Sequence, residues 1–448
     1  MLKSIKITKL FGRFDYTLNF SEEGIMIITG PNGYGKSTIL KMINIFCNDS
    51  LQKLLDYSFK NFIITCDKDK ITITKNTKTF KINTRSFPYP DEKWERRRGI
   101  PPYMRRVGYD EYLDRRTNEK VHIISPIERN NVFDGVSWED RFFFAVSDAI
   151  EFNTNSQATL REELSKLREA IREIAVVKKQ IGRVRFIQEQ RLIEKRELLE
   201  EDGSYSRPKT EYITVINENS DKLKSKLAEI MNAHSSLSSE LDSTYLKRLF
   251  DADLTVTYNL TEVRKELQEL QNKQEKLKKY GLAEIKNVSY ISNLDKSKLD
   301  RFSAELSIYL ADSNDKYKVF ESIINKLELY EGIVNKKLTF KKMTLSRTDG
   351  IVVKSDEGKK LLLSDLSSGE QEILVLFYKL IFESDVNLLL IDEPEISLHI
   401  AWQKEIMDNL KSIVNLNKDI QVMIATHSPQ IISHNWNLQI DLGGLYNG

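Results

Sequence analysis

The chain has 448 residues, 40 % of them hydrophobic and 30 % charged, with 68 basic against 66 acidic side chains for a formal net charge of +2. That length accommodates two or three domains with their own cores, and the near balance of charge argues against one large nucleic-acid-binding surface. The two cysteines, Cys47 and Cys66, have no Cys or His nearby at ligand spacing, which suggests neither a disulfide framework nor a zinc site and fits a reducing compartment. No run approaches the ~20 apolar residues of a membrane span, so the chain reads as soluble and cytoplasmic, with no membrane partner.

Residues 1–8 alternate polar and apolar side chains as a strand does, without the apolar core of a signal peptide. Phe11, Arg13 and Phe14 follow at a turn. The apolar run 25–28 leads into G-P-N-G-Y-G-K-S-T at residues 30–38 and then a helix-like stretch from Ile39. This is a phosphate-binding loop in the strand-loop-helix context it requires. Gly30, Gly33 and Gly35 let successive backbone N–H groups curl inward toward phosphate oxygens. Lys36 adds a point charge and Ser37 a hydroxyl for Mg²⁺. Asn32 and Thr38 complete the candidate nucleotide-binding set. Residues 71–74 and 79–82 read as a hairpin.

Between residues 93 and 120 the chain turns irregular and basic, with nine basic residues against five acidic and Trp94, Tyr103, Tyr109 and Tyr112 interleaved. Arginine and aromatic side chains suit phosphate backbones and unstacked bases. The same run also reads as a contact surface for an acidic protein face or as a solvated loop. From Leu160, apolar residues recur as Leu164, Leu167, Ile171, Ile174 and Ile181, a spacing of three and four. Gly203 and Pro208 mark a tip, after which Leu223, Leu227, Ile230, Leu237 and Leu241 resume the seam. Two antiparallel helices of about 60 Å each follow from ~40 helical residues, or else a compact helical domain. Val263, Leu267, Leu270 and Leu277 form a further heptad-like run, and a helix is expected near 296–336.

Leu366-Ser367-Ser368-Gly369-Glu370-Gln371 opens a helical stretch reaching Phe382. By itself that string is an N-capped helix start or a second anion site. Residues 385–393 read D-V-N-L-L-L-I-D-E, a buried strand ending in two carboxylates. Asp392 is placed to hold Mg²⁺ and Glu393 to polarise an attacking water. The alternative is an acid pair at the start of a helix begun by Pro394. A last strand-like run, 420–424, precedes Ala425-Thr426-His427-Ser428-Pro429.

Taken in this order, the four segments resemble the ATP-binding-cassette ATPases, and within them the SMC-, Rad50- and RecF-like branch that includes overcoming-lysogenization-defect-like proteins. The resemblance implies an α/β P-loop ATPase head split by an α-helical coiled-coil insertion: a first lobe over residues 1–150, the insertion over 151–335 and a second lobe over 336–448. It implies ATP and Mg²⁺ as ligands, a contact to adenine from one of Phe11, Arg13 and Phe14 or else a core aromatic at that turn, and His427 as a switch histidine contacting the γ-phosphate. Ser367 and Gly369 would close over ATP held by another subunit, making the protein a homodimer or higher homo-oligomer. Ser368 and Glu370 replace the transporters' usual Gly and Gln, as in many SMC-like members. Residues 395–399 resemble the loop that crosses the dimer interface, His399 either contributing there or serving structure. No glutamine-loop motif is evident; residues 122–129 fall where it belongs.

The string D-E-P-E-I-S-L-H-x-x-W-Q at 392–403 resembles ATPases of antiphage systems such as PARIS or Septu, although Ile400 stands where Pro is frequent. Few residues follow the histidine strand, too few for a topoisomerase-primase nuclease domain. The resemblance therefore implies a sensor or scaffold acting on a separate effector, a nuclease by preference. A DNA-binding repair or chromosome-handling clamp is the alternative, with nucleic acid as its ligand. The helical insertion weighs against a transporter subunit.

Overall fold

The computed structural model describes residues 1–49, 51–89, 104–106, 111–114, 120–122, 138–152, 154, 156–188, 192–198, 209–251, 260–283, 302–383, 385–396, 398–417 and 420–445. The chain forms two compact units, one from residues 1–189, 384–396 and 417–448, the other from 190–383 and 397–416.

The first unit holds two sheets. A six-stranded antiparallel sheet runs in the order Phe14–Asn19, Leu2–Leu10, Asn61–Cys66, Lys70–Lys75, Thr79–Ile82, Arg85–Pro88, and its strands alternate buried and less buried residues, as one-sided packing requires. The hairpin read at 71–74 and 79–82 is present, with Ile73 opposite Ile82. The second sheet is parallel, in the order Val184–Ile187, Leu388–Asp392, Gln421–Ala425, Ile25–Thr29, Gln439–Asp441. Its three central strands are buried at every position, which explains their uninterrupted apolar runs. Asp392 pairs with Ala425, and Ala425 with Ile28. Parallel register thus aligns the carboxyl ends of three strands, where ligands bind in open α/β sheets. Most of this unit's apolar side chains form one cluster spanning both sheets, including Ile5, Phe46, Phe62, Leu388 and Met423.

The helix Gln157–Ile181 belongs to this cluster. Leu167, Ile171, Ile174 and Ile181, the seam expected to begin a coiled-coil arm, are buried in it, and Glu173 on the same helix accepts from Asn83 and Arg85 at 2.7 Å each. The coiled-coil expectation fails for this helix. A three-four spacing specifies one apolar stripe, and here a sheet and the helix Trp138–Phe152 cover it together in place of an antiparallel arm. At Gly182 (φ +80°) a Cβ would fall 2.1 Å from Asn387 Oδ1. The chain therefore turns there in a conformation suited to glycine and enters the edge strand Val184–Ile187.

The second unit contains the hairpin Ile193–Leu198 with Lys209–Thr214 and the long helices Val215–Asp251, Leu260–Lys279 and Ser303–Asn335. It also contains the antiparallel strands Lys341–Ser346, Gly350–Ser355 and Lys360–Leu361 and the helix Ser368–Phe382. Val263, Leu267 and Leu270 pack with Leu310, and Arg248 pairs with Asp312, so these helices associate through an apolar seam bordered by ion pairs. Ser368–Phe382 is buried nearly all round; Tyr330 donates to Leu374 O at 2.9 Å.

The basic segment 93–120 and the segment 122–129 lie outside the described residues, apart from the backbone of the strands Met104–Arg106, Glu111–Asp114 and Lys120–His122. Among the described residues no helix is long and apolar enough to cross a membrane.

Candidate functional site

The strand Ile25–Thr29 ends at Gly30, and the helix Lys36–Asn48 begins from Gly35, whose φ of +90° is left-handed. The left-handed backbone at Gly35 favours glycine, and a Cβ there would lie 2.8 Å from Leu10 Cδ2 and 3.2 Å from Phe11 Cε2, displacing the ends of both side chains. The helix has no side-chain cap and no acidic residue in its first turn. Its N-terminal N–H groups and dipole therefore remain directed at the loop, the condition for an anion site. Beneath the loop, Tyr16 donates to Tyr34 O at 2.9 Å, and the Phe14 ring lies 5.0 Å from Tyr34 and 5.7 Å from Tyr16. Phe14 is thus a core aromatic. Phe11 stays 43 % exposed beside Gly35.

Lys36 folds back over the loop. Its Nζ donates to Gly30 O at 2.9 Å and lies 2.6 Å from His427 Nε2. Burial lowers its pKa, while Glu393, Asp392 and Glu395 pull in the opposite sense. Ser37 Oγ donates to Asp392 Oδ1 at 2.8 Å, and Asp392 is 3 % exposed. A hydroxyl and a buried carboxylate side by side fit Mg²⁺, which binds through few protein ligands and otherwise takes phosphate oxygens and water. Among the described residues no group of three or more His, Cys, Asp and Glu side chains could hold a metal by themselves.

Glu393 follows Asp392 with a left-handed φ of +44°, and its amide donates to Ala425 O at 2.9 Å. Its carboxyl is 3.2 Å from His427 Nε2. Burial, together with a hydrogen bond to Glu395 and that residue's charge, pushes the Glu393 carboxyl up to about 8. His427 titrates below its ordinary value because of burial and the neighbouring Lys36 charge, which favours a neutral imidazole able to accept from Lys36. Lys36, Ser37, Asp392, Glu393 and His427, up to 391 positions apart in the chain, are thus gathered at the ends of three adjacent strands.

Sequence reasoning passed over Glu395 as an individual group. Its Oε1 accepts from Thr426 Oγ1, His427 N and Ser428 N. The signal was the D-E-P-E spacing, a third carboxylate just past the strand end.

Ser367 and Gly369 lie in the second unit. Ser367 caps the helix Ser368–Phe382 in a complete capping box: its side chain accepts from Glu370 N, and its own amide donates to Glu370 Oε2 at 2.9 Å. Lys341 Nζ contacts both Glu370 oxygens at 2.9 Å. Burial pushes the Glu370 carboxyl upward, but Lys341 and the Ser367 donors outweigh it and hold the group below its ordinary range. His399 is exposed and caps the short helix Ile400–Gln403, accepting from Ala401 N at 3.3 Å.

The AAA ATPase domain profile, AAA_15, matches residues 1–432. The Retron Ec83 probable ATPase of Escherichia coli is 28 % identical over 195 residues, which is 40 % of this chain and 33 % of that protein; the match spans about a third of the relative's length. Two solved structures align over 96 % of this chain and 91 % of their own. One is the Smc head domain with an extended coiled coil bound to the C-terminal domain of ScpA, from Pyrococcus furiosus, at 13 % identity and a TM-score of 0.37. The other is an SmcHead bound to the C-winged helix domain of ScpA, at 10 % identity and a TM-score of 0.35.

Proposed function

This chain belongs to the AAA_15 family of AAA ATPase domains, and from that membership we propose that it hydrolyses ATP to ADP and phosphate at the site around Lys36. The observation that carries the proposal is the convergence of Lys36, Glu393 and His427 above an uncapped helix N-terminus. The loop N–H groups and Lys36 bind the phosphates. Glu393, once ionised, takes the proton of a water whose oxygen bonds to the γ-phosphorus while the bond to the bridging oxygen breaks and its electrons leave with ADP. His427 orients the γ-phosphate side of the site. Mg²⁺, held by Ser37 and Asp392, would supply neutralising charge at the phosphate oxygens. The partial likeness to a retron's probable ATPase supports this chemistry.

Beyond hydrolysis, the protein acts as an oligomeric scaffold in which Ser367 and Gly369 of one copy complete the nucleotide site of another, and ATP turnover changes the geometry of the helices inserted between the two parts of the head. The resemblance at residues 392–403 supports a sensor role in antiphage defence with a separate effector. The basic segment 93–120 favours the second reading, a DNA clamp.

The test is the composition and mass of the Glu393→Gln assembly purified with and without ATP from cells carrying the native neighbouring genes. A stoichiometric protein partner and ATP-dependent growth in mass are expected. Bound DNA with no protein partner, lost on raising salt, would replace the scaffold by the clamp.

A further inference from the structure

One carboxylate oxygen gathers the donors of the turn that follows the histidine strand. Glu395 Oε1 accepts from Thr426 Oγ1 at 2.5 Å, from the His427 amide at 2.8 Å and from the Ser428 amide at 3.0 Å. Thr426 is completely buried, and its Oγ1 accepts in turn from Ser428 N at 3.0 Å. A carboxylate taking two backbone N–H groups and a hydroxyl forms charge-assisted bonds, shorter and about twice as strong as neutral ones. The stem of Glu395 is anchored as well. Glu393 N donates to Ala425 O, and Ile396 N closes a turn onto Glu393 O at 3.2 Å, so the backbone that aims Glu393 also fixes the base of Glu395.

We infer that Glu395 is a positioning residue for hydrolysis: its carboxylate holds the turn 426–428 so that the His427 imidazole stays in register with Lys36 and Glu393. The inference rests on the ATPase reading above. His427 is 40 % exposed at its side chain, so apolar packing does little to orient the ring, and its contacts to Lys36 at 2.6 Å and Glu393 at 3.2 Å depend on where its backbone is held. The Glu395 clamp sets that backbone from both sides of the residue. Glu395 thereby ties the strand end carrying Asp392 and Glu393 to the strand end carrying His427, two segments that parallel pairing alone aligns only as far as Asp392 and Ala425. Pro394 between the two glutamates stiffens the link, since its ring restricts φ.

The experiment pairs Glu395→Ala and Glu395→Gln with the parent chain and reads two quantities: steady-state ATP turnover, and amide hydrogen exchange of peptides covering 421–430 against a reference peptide from the helix Ser368–Phe382. Glu395→Ala is expected to lower kcat by about a hundredfold, the scale of a misplacement near 1 Å, with KM little changed, and to speed exchange at 426–428 without altering the reference helix. Glu395→Gln keeps an acceptor oxygen at the same reach and is expected to restore most of both properties. Unchanged exchange in Glu395→Ala overturns the clamp. Faster exchange with parental kcat overturns its role in hydrolysis. A Gln variant as slow as Ala, with parental exchange, overturns positioning in favour of a direct role for the charge. If the parent itself releases no phosphate from ATP, the hydrolysis reading falls and takes the kinetic role of Glu395 with it, while exchange still decides whether the clamp exists.

Discussion

Two helix starts rich in Gly and Ser meet opposite fates. The helix Lys36–Asn48 opens from a left-handed glycine with no side-chain cap and no acid in its first turn. The helix Ser368–Phe382 opens with a full capping box, an acid at its third position and a lysine on that acid. The first leaves its positive end for a ligand; the second satisfies the amides of Ser367 and Glu370 and sets an acid against its dipole. Small residues before a helix do not by themselves make an anion site. Glu370 is an internal acceptor that the first helix lacks and that already takes the Ser367 amide, so the nucleotide contact proposed for Ser367 and Gly369 would be made beside a capped start rather than an open one.

The strongest way to break this contrast is at the chemical group of the first site. Glu393→Gln should reduce phosphate release by about 10²–10⁴-fold, the usual range for a general base, while equilibrium ATP binding stays near parental. Parental turnover in this variant would remove Glu393 from the mechanism. Lys36→Ala should weaken ATP binding by about tenfold or more, since a charge-assisted hydrogen bond contributes roughly 1.5–3 kcal/mol; calorimetric titration showing unchanged affinity would sink the P-loop assignment.

A pH profile sharpens the comparison further. The Glu393 carboxyl is raised to about 8, so the protonated form dominates below that value and the base appears only as pH rises. Accordingly kcat/KM should climb about tenfold per pH unit below 8 and level above it; a profile already flat at pH 6 would contradict an essential Glu393 base with this titration. The smallest effect belongs to the second helix start. Ser367→Ala should cost about 1 kcal/mol of stability through the lost cap, read by urea denaturation. If Ser367 also serves a neighbouring subunit's nucleotide, turnover should fall with little change in nucleotide affinity. A stability loss with parental turnover would confine Ser367 to capping. Because the Glu370 carboxyl is held low, its stabilising contribution is present above the ordinary carboxylate range and fades as pH falls through its folded value.

Glu395 adds a third carboxylate that differs from its two neighbours. Asp392 takes the Ser37 hydroxyl and Glu393 lies beside His427, whereas Glu395, besides its hydrogen bond with Glu393, takes the backbone of the turn. Asp392 and Glu393 were legible from residue type and place, because a buried strand ending in acids beside a P-loop has few other uses. Glu395 was not, since nothing in D-E-P-E says which of three carboxylates turns toward Thr426.

The sequence by itself determined the local pieces: the P-loop with its strand and helix, the apolar strands 25–29, 388–392 and 421–425, the helices around 303–335 and 368–382, and the acids and histidine at strand ends. These follow from periodicity, glycine geometry and charge placement, all short-range properties. Only the tertiary structure decided what each apolar stripe covers. The stripe of Gln157–Ile181 meets a sheet and the helix Trp138–Phe152 inside the first unit, while Val263, Leu267 and Leu270 meet only another helix in their cluster; the same spacing serves both, because burial rewards removal of area from water and is indifferent to the partner's secondary structure. The tertiary structure likewise decided that Lys341 reaches Glu370 and that Glu395 faces the turn 426–428. Those hydrogen bonds depend on where the backbone places donors and acceptors, and residue types alone do not specify that placement.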